Sequence, residues 1–157
     1  MNEVYIIAEM SANHGNDINI AKDTIYAAKE AGADCIKFQT YKPESLSLNI
    51  DNEIFGPRKE GLWKGIKPFD LYKDASMPYE WQPILAKYAQ SINIDWFSSP
   101  FDFEAVDMLE TINCTKYKIA SFEICDIPLI RYVAKTMKPM IISTGIATLD
   151  DISVALD

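Results

Sequence analysis

Apolar residues recur along the chain in two alternating rhythms. Five short runs, VYIIAEM (4–10), DCIKFQT (34–40), IDWFSS (94–99), KYKIAS (116–121) and PMIIST (139–144), are bounded by turn or capping residues and predict strands. Between them the period lengthens. In DINIAKDTIYAAKEAGA, Ile18, Ala21, Ile25 and Ala28 fall on one stripe, Asn16 or Asp17 suits the N-cap and Gly32 the end, which predicts a helix. Residues 79–92 carry the same period, with Ser76 as N-cap and Pro78 in the first turn. Residues 102–112 and 126–137 complete the alternation, and Thr148 with Asp151 reads as a capping box that opens a last helix. The pattern is a strand followed by a helix, five times over.

The strand ends at Glu9, Gln39, Ser98, Ser121 and Ser143 are 30, 59, 23 and 22 residues apart. The second unit therefore carries an insertion, residues 41–75, of about thirty residues relative to a typical β-α-β repeat. Its aromatic, mixed-charge stretch GLWKGIKPFDLYKDA follows a parallel strand, where α/β proteins place substrate contacts. A packing elaboration that touches no ligand is the alternative. Five such units fit either a doubly wound sheet or the first five-eighths of a (β/α)8 TIM barrel, which needs about 250 residues when whole. A central strand of a doubly wound sheet is buried on both faces and reads as continuous Val, Ile and Leu. Here Glu9, Lys37, Gln39, Lys118 and Ser121 interrupt the runs near their C-terminal ends, as expected where alternate side chains face a polar barrel mouth. The last helix starts at Thr148 and the chain stops at Asp157, so residues 1–157 are expected to be the N-terminal portion of a longer barrel domain.

Composition narrows the classes. The chain has 157 residues, 48% hydrophobic and 24% charged, which suits one packed core and excludes a disordered chain. It shows neither a basic-then-apolar leader nor a run of eighteen apolar residues, and a cytoplasmic location is expected. Cys35, Cys114 and Cys125 form no CxxC pair and are expected to be reduced, packed thiols. A net charge of −8 disfavours nucleic acid and anionic membranes as partners. Any anion this chain binds must be met by local cations, which singles out the lysines on strands.

Lys37 and Gln39 stand two apart in CIKFQTYK and so share one strand face. Burying an ammonium without a partner costs several kcal/mol, so something on that face must want it. Lys118 sits at the corresponding end of another strand. Two cations converging there suit a ligand with more than one negative charge, and a sheltered mouth strengthens the attraction severalfold over bulk water. Ser99, Ser121, Ser143 and Thr144 add hydroxyl donors at strand ends. Glu9 and Glu123 are the carboxylates near the mouth, serving acid/base or hydroxyl-binding roles or forming ion pairs with the strand lysines; spacing leaves both open. His14, in the turn Asn13–His14–Gly15, is the single histidine and reads as a hydrogen-bonded structural element, since one histidine makes no metal site.

The blocks YIIAEMSANHGN, AKEAGADCIKFQTYKPESL, WFSSPFD, YKIASFEICDIPLI and KPMIISTGIAT, in this order along essentially the whole chain, resemble the sialic acid synthase family, enzymes that condense phosphoenolpyruvate with an amino sugar. The SANH turn, GLWK, PYEW and ASFEICDIPLI are more similar to its pseudaminic acid synthase branch than to N-acetylneuraminate synthases, which show a glycine where Phe122 stands. The resemblance implies a barrel followed by a C-terminal antifreeze-like domain and a homodimer, with the rest of the barrel and that domain beyond this chain. It further implies that Lys37 and Lys118 hold the carboxylate and phosphate of phosphoenolpyruvate, helped by Ser99, Ser121 and Ser143. Gln39 and Glu123 would contact the open-chain acetamido sugar, and Glu9 would stand beside the reacting centre. A divalent metal, Mn2+ or Mg2+, is implied for the full-length enzyme, with its ligands outside this chain. N-acetylneuraminate or legionaminic acid synthesis, and a non-catalytic binding module, remain as alternatives.

Overall fold

The structure, a computed structural model, describes residues 4–157. Five parallel strands, β1 (Ile7–Glu9), β2 (Cys35–Thr40), β3 (Asp95–Pro100), β4 (Tyr117–Ile119) and β5 (Met140–Ile142), lie side by side in the order of the sequence. A doubly wound sheet reverses strand order at a switch point; this one never does. Each strand sits beside its predecessor, as in a (β/α)8 barrel, and the expected fold is met over these five units.

The helices are α1 (Ile18–Glu30), α2 (Pro43–Leu46), α3 (Pro68–Ala75), α4 (Gln82–Ser91), α5 (Phe103–Thr111), α6 (Ile127–Ala134) and α7 (Leu149–Leu156). Short side chains start most of them. Asp17 accepts from the Asn19 N–H at 2.7 Å, Asp102 from Ala105 at 2.6 Å and Asp126 from Leu129 at 3.0 Å, each satisfying an orphan donor of a first turn. Thr148 and Asp151 form the expected capping box, and Gly32, at φ +89°, takes the left-handed position just past α1.

Three boundaries differ from expectation. Ser76 is no N-cap: it closes α3, its hydroxyl donating to the Lys73 carbonyl at 2.9 Å, and Pro78 disfavours helical backbone at Met77, so the helix cannot run through. The chain re-enters helix through a 3-10 turn, Tyr79–Trp81, before α4. Likewise α6 stops at Ala134, and Met137 at φ +56° lies outside it. The insertion 41–75 contains α2 and α3, each with proline in its first turn, and α2, at four residues, is too short for a period to show.

Strand alternation sorts the side chains. Ile36 and Phe38 on β2, with Tyr117 and Ile119 on β4, are fully buried and pack with Ile25, Leu85, Leu109, Leu129 and Val133 of the helices. Lys37, Gln39 and Lys118 alternate with them and are only half-buried, on the opposite face. Cys35 and Cys114 are buried free thiols as expected, whereas Cys125, in the 3-10 turn Phe122–Cys125, is exposed and unpacked. The insertion is pinned to the frame by Ser45 on the Asp102 carboxylate, by Lys42 on Glu104 at 2.5 Å and by the Asn16 amide on the Asp74 carbonyl at 2.8 Å.

Candidate functional site

Register fixes which side chains stand together. Residue partners in a parallel ladder share a face, so pairing of Glu9 with Lys37 and of Gln39 with Ser99 sets two short rows across the C-terminal ends of β1 to β3. The Glu9 carboxylate meets the Lys37 ammonium in an ion pair, with the lysine side chain only 14% exposed and the glutamate 40%. Ser11, at φ +52°, turns its N–H onto the other Glu9 oxygen at 2.9 Å. Of the two roles left open for Glu9, this geometry supplies the ion pair with a strand lysine.

Lys118 differs. Its ammonium donates to the Ile119 carbonyl at 2.7 Å, and among the described residues no carboxylate forms a salt bridge with it. Burial first, then the positive charge of Lys37, push its pKa below the ordinary lysine value, while Glu9 and Glu123 oppose this. Lys37 and Lys118 thus feel one another across β3, and the second is an under-compensated cation.

Beside these charges lies a cavity of about 430 Å³. Gln39, Ser121 and Glu123 give it a polar side; Tyr41, Tyr72 and Phe101 give it an aromatic one. Glu123 is half-buried and its Oε2 has no hydrogen-bond partner. Desolvation, the largest cause, raises its pKa. Ser99 is 1% exposed beside Gln39. Ser143 lies one residue past β5, its N–H donating to the Ile119 carbonyl at 3.1 Å; it does not line the cavity, although Gly145 two residues on stands against Ser121. The structure therefore gathers Glu9, Lys37 and Lys118 as a charge cluster, and Gln39, Ser121 and Glu123 as a cavity wall.

His14 is fully buried. Its Nδ1 accepts from the Asn16 N–H at 3.2 Å and its ring packs edge-on to Trp81 at 5.8 Å, the structural role expected of it. Among the described residues, no three His, Cys, Asp or Glu side chains are grouped to hold a metal ion. No helix of the described residues is long and apolar enough to cross a membrane.

Two features escaped the sequence reading. Lys116 shares the inward face of Lys118, two residues away, but is paired with the Asp95 carboxylate at 3.8 Å and donates to the Tyr5 hydroxyl at 3.0 Å. The i, i+2 spacing signalled its direction but not its partners. The aromatic wall comes from three segments, and only the aromatic content of the insertion pointed to it.

The sequence profile of the NeuB family matches residues 24–157. A pseudaminic acid synthase of Helicobacter pylori is 45% identical over 96% of this chain and 44% of its own length. An N,N'-diacetyllegionaminic acid synthase of Legionella pneumophila is 35% identical over 98% of this chain and 43% of its own. The chain spans less than half the length of these curated relatives. The crystal structure of an N-acetylneuraminic acid (sialic acid) synthetase from Leptospira borgpetersenii serovar Hardjo-bovis, in complex with citrate, superposes with a TM-score of 0.82 at 36% identity, covering 99% of this chain and 49% of that one.

Proposed function

The chain belongs to the NeuB family, and from that premise we propose that it supplies the phosphoenolpyruvate-binding and part of the sugar-binding surface of a synthase that joins phosphoenolpyruvate to an open-chain acetamido sugar. The observation that carries the reading is Lys118, an under-compensated cation within the field of Lys37 at the strand ends, next to a cavity with a polar wall. Lys37 and Lys118 hold the carboxylate and phosphate, with Ser99, Ser121 and Ser143 donating to their oxygens. Gln39 and Glu123 take hydroxyl or amide groups of the sugar, and Glu9, ion-paired with Lys37, orients that ammonium and stands beside the reacting carbon.

In the reaction, C3 of phosphoenolpyruvate attacks the sugar aldehyde, water adds at C2, and phosphate leaves as the C–O bond breaks. The products are a keto-acid longer by three carbons and inorganic phosphate. The higher identity to a pseudaminic acid synthase than to a legionaminic acid synthase favours 2,4-diacetamido-2,4,6-trideoxy-altrose as the sugar and pseudaminic acid as the nine-carbon product. The described residues do not fit the divalent metal, Mn2+ or Mg2+, implied by the family resemblance, whose ligands would come from outside this chain. A cytoplasmic homodimer for the full-length enzyme belongs to the same proposal.

Calorimetric titration of the chain with phosphoenolpyruvate tests this. Saturable binding is expected, and it should weaken as pH rises through the lowered pKa of Lys118, earlier than for an ordinary lysine. Lys37→Ala should cost about 1.5–3 kcal/mol of binding, the range of a charge-assisted hydrogen bond. No binding, or the same affinity in Lys37→Ala, overturns the assignment. Phosphate release by the full-length enzyme with each candidate sugar separates the branches: preference for N-acetylmannosamine overturns the pseudaminic assignment.

A further inference from the structure

We propose that Tyr41, Tyr72 and Phe101 form a specificity wall for methyl-terminated substituents of the sugar, so that the inserted segment 41–75 selects the substrate. This rests on the reading above that the cavity takes a sugar. Tyr41 opens the insertion and Tyr72 sits on α3, so a segment the β-α repeat does not require reaches back over the strand ends. The rings meet edge to face, Tyr41 with Tyr72 at 6.3 Å and 86°, and Tyr41 with Phe101 at 5.5 Å and 79°, which makes a corner rather than a flat patch. Tyr41 is 4% exposed, and burial with the neighbouring Tyr72 pushes its hydroxyl up to about 12.

The corner is preformed. Ser45 on Asp102, Lys42 on Glu104 and Asn16 on the Asp74 carbonyl hold both ends of the insertion, so little ordering remains when a ligand arrives. In the same cavity, Glu123 Oε2 is buried without a hydrogen-bond partner and calls for a donor, while the Gln39 amide can donate or accept. A ligand that satisfies both sides presents N–H or O–H groups one way and hydrocarbon the other. An acetamido group does so with its N–H and its methyl; a deoxy carbon offers the methyl alone. The shared chemistry is a methyl terminus, and a fully hydroxylated sugar lacks it.

The test titrates the chain, saturated with phosphoenolpyruvate, with N-acetylmannosamine, rhamnose and mannose, which carry an acetamido methyl, a deoxy methyl and neither. At least one methyl-bearing sugar should bind about tenfold or more tighter than mannose, the discrimination an apolar pocket gives to one such group. Whichever gains identifies the acetamido group or the deoxy carbon. Tyr72→Ala should level the preference with phosphoenolpyruvate affinity unchanged, and Tyr72→Phe should retain it. In the unmutated chain, saturation-transfer NMR should mark the sugar methyl protons above the ring protons, a readout that needs no folded variant. Phosphoenolpyruvate binding with no preference among sugars, or a preference that survives Tyr72→Ala, overturns the wall and leaves the reaction standing. Absent phosphoenolpyruvate binding instead overturns the reaction.

Discussion

Lys118 carries its charge at a cost to the fold. A lysine whose pKa falls on folding destabilises the native state below that lowered value, and the deficit is relieved as pH rises toward the unfolded value. Lys118→Met should therefore raise the melting temperature at neutral pH while removing anion binding; a lower melting temperature would contradict the assignment. Glu110 behaves oppositely. Desolvation is the largest single influence on it and raises its pKa, but hydrogen bonds from Lys138 at 2.5 Å and from the Tyr117 hydroxyl outweigh that and leave it below the carboxylate norm. Its contribution is present above the unfolded carboxylate value and lost as pH falls through the folded one. Glu110→Gln should be less stable than the parent at neutral pH, with the two melting curves converging in acid. At this scale the sequence was readable where strand parity alone decides, as for Lys37 and Gln39. It was silent where the answer depends on register between distant segments: Tyr5 meets Asp95 across 90 residues, and no local pattern records that pairing.

Helix starts were the most legible elements, because one short side chain both breaks the preceding strand or turn and satisfies a first-turn N–H. Asp17, Asp102, Asp126 and Thr148 all act this way. Asp102→Ala should cost about 0.5–2 kcal/mol by loss of the cap, and it also frees Ser45, so urea denaturation should place it near the upper end. In the core, Leu109→Ala, fully buried on α5, should cost about 2–5 kcal/mol by the same measurement. The short helices α2 and α3 were not legible. Four residues cannot display an apolar stripe, α2 and α3 are positioned by contact with one another, and α2 is held to the start of α5 by Lys42 on Glu104 and Ser45 on Asp102. The aromatic corner inherits that opacity, since Tyr72 reaches the cavity only once α3 is placed.

Across the molecule, strand order was implied by polar interruptions near the C-terminal ends and is realised in a sheet where no strand changes place. Among the described residues, β1 and β5 each pair on one side only, and Val4, Ile6, Ile7 and Ile141 are exposed near those edges. Such edges template association, so sedimentation should reveal self-association that grows with concentration; a sharp monomer boundary at every concentration would count against it. The in-sequence order has one more effect. Each ladder joins neighbours in the chain, so folding can advance unit by unit while synthesis is still under way. One step is slower than the rest. Residues 41–94 separate β2 from β3, against 101–116 between β3 and β4, and each doubling of a closing loop adds about 0.6 kcal/mol of entropy to overcome. The same segment that shapes the cavity thus governs the pace at which the nascent chain zips shut, and pruning it would hasten folding while blunting substrate choice.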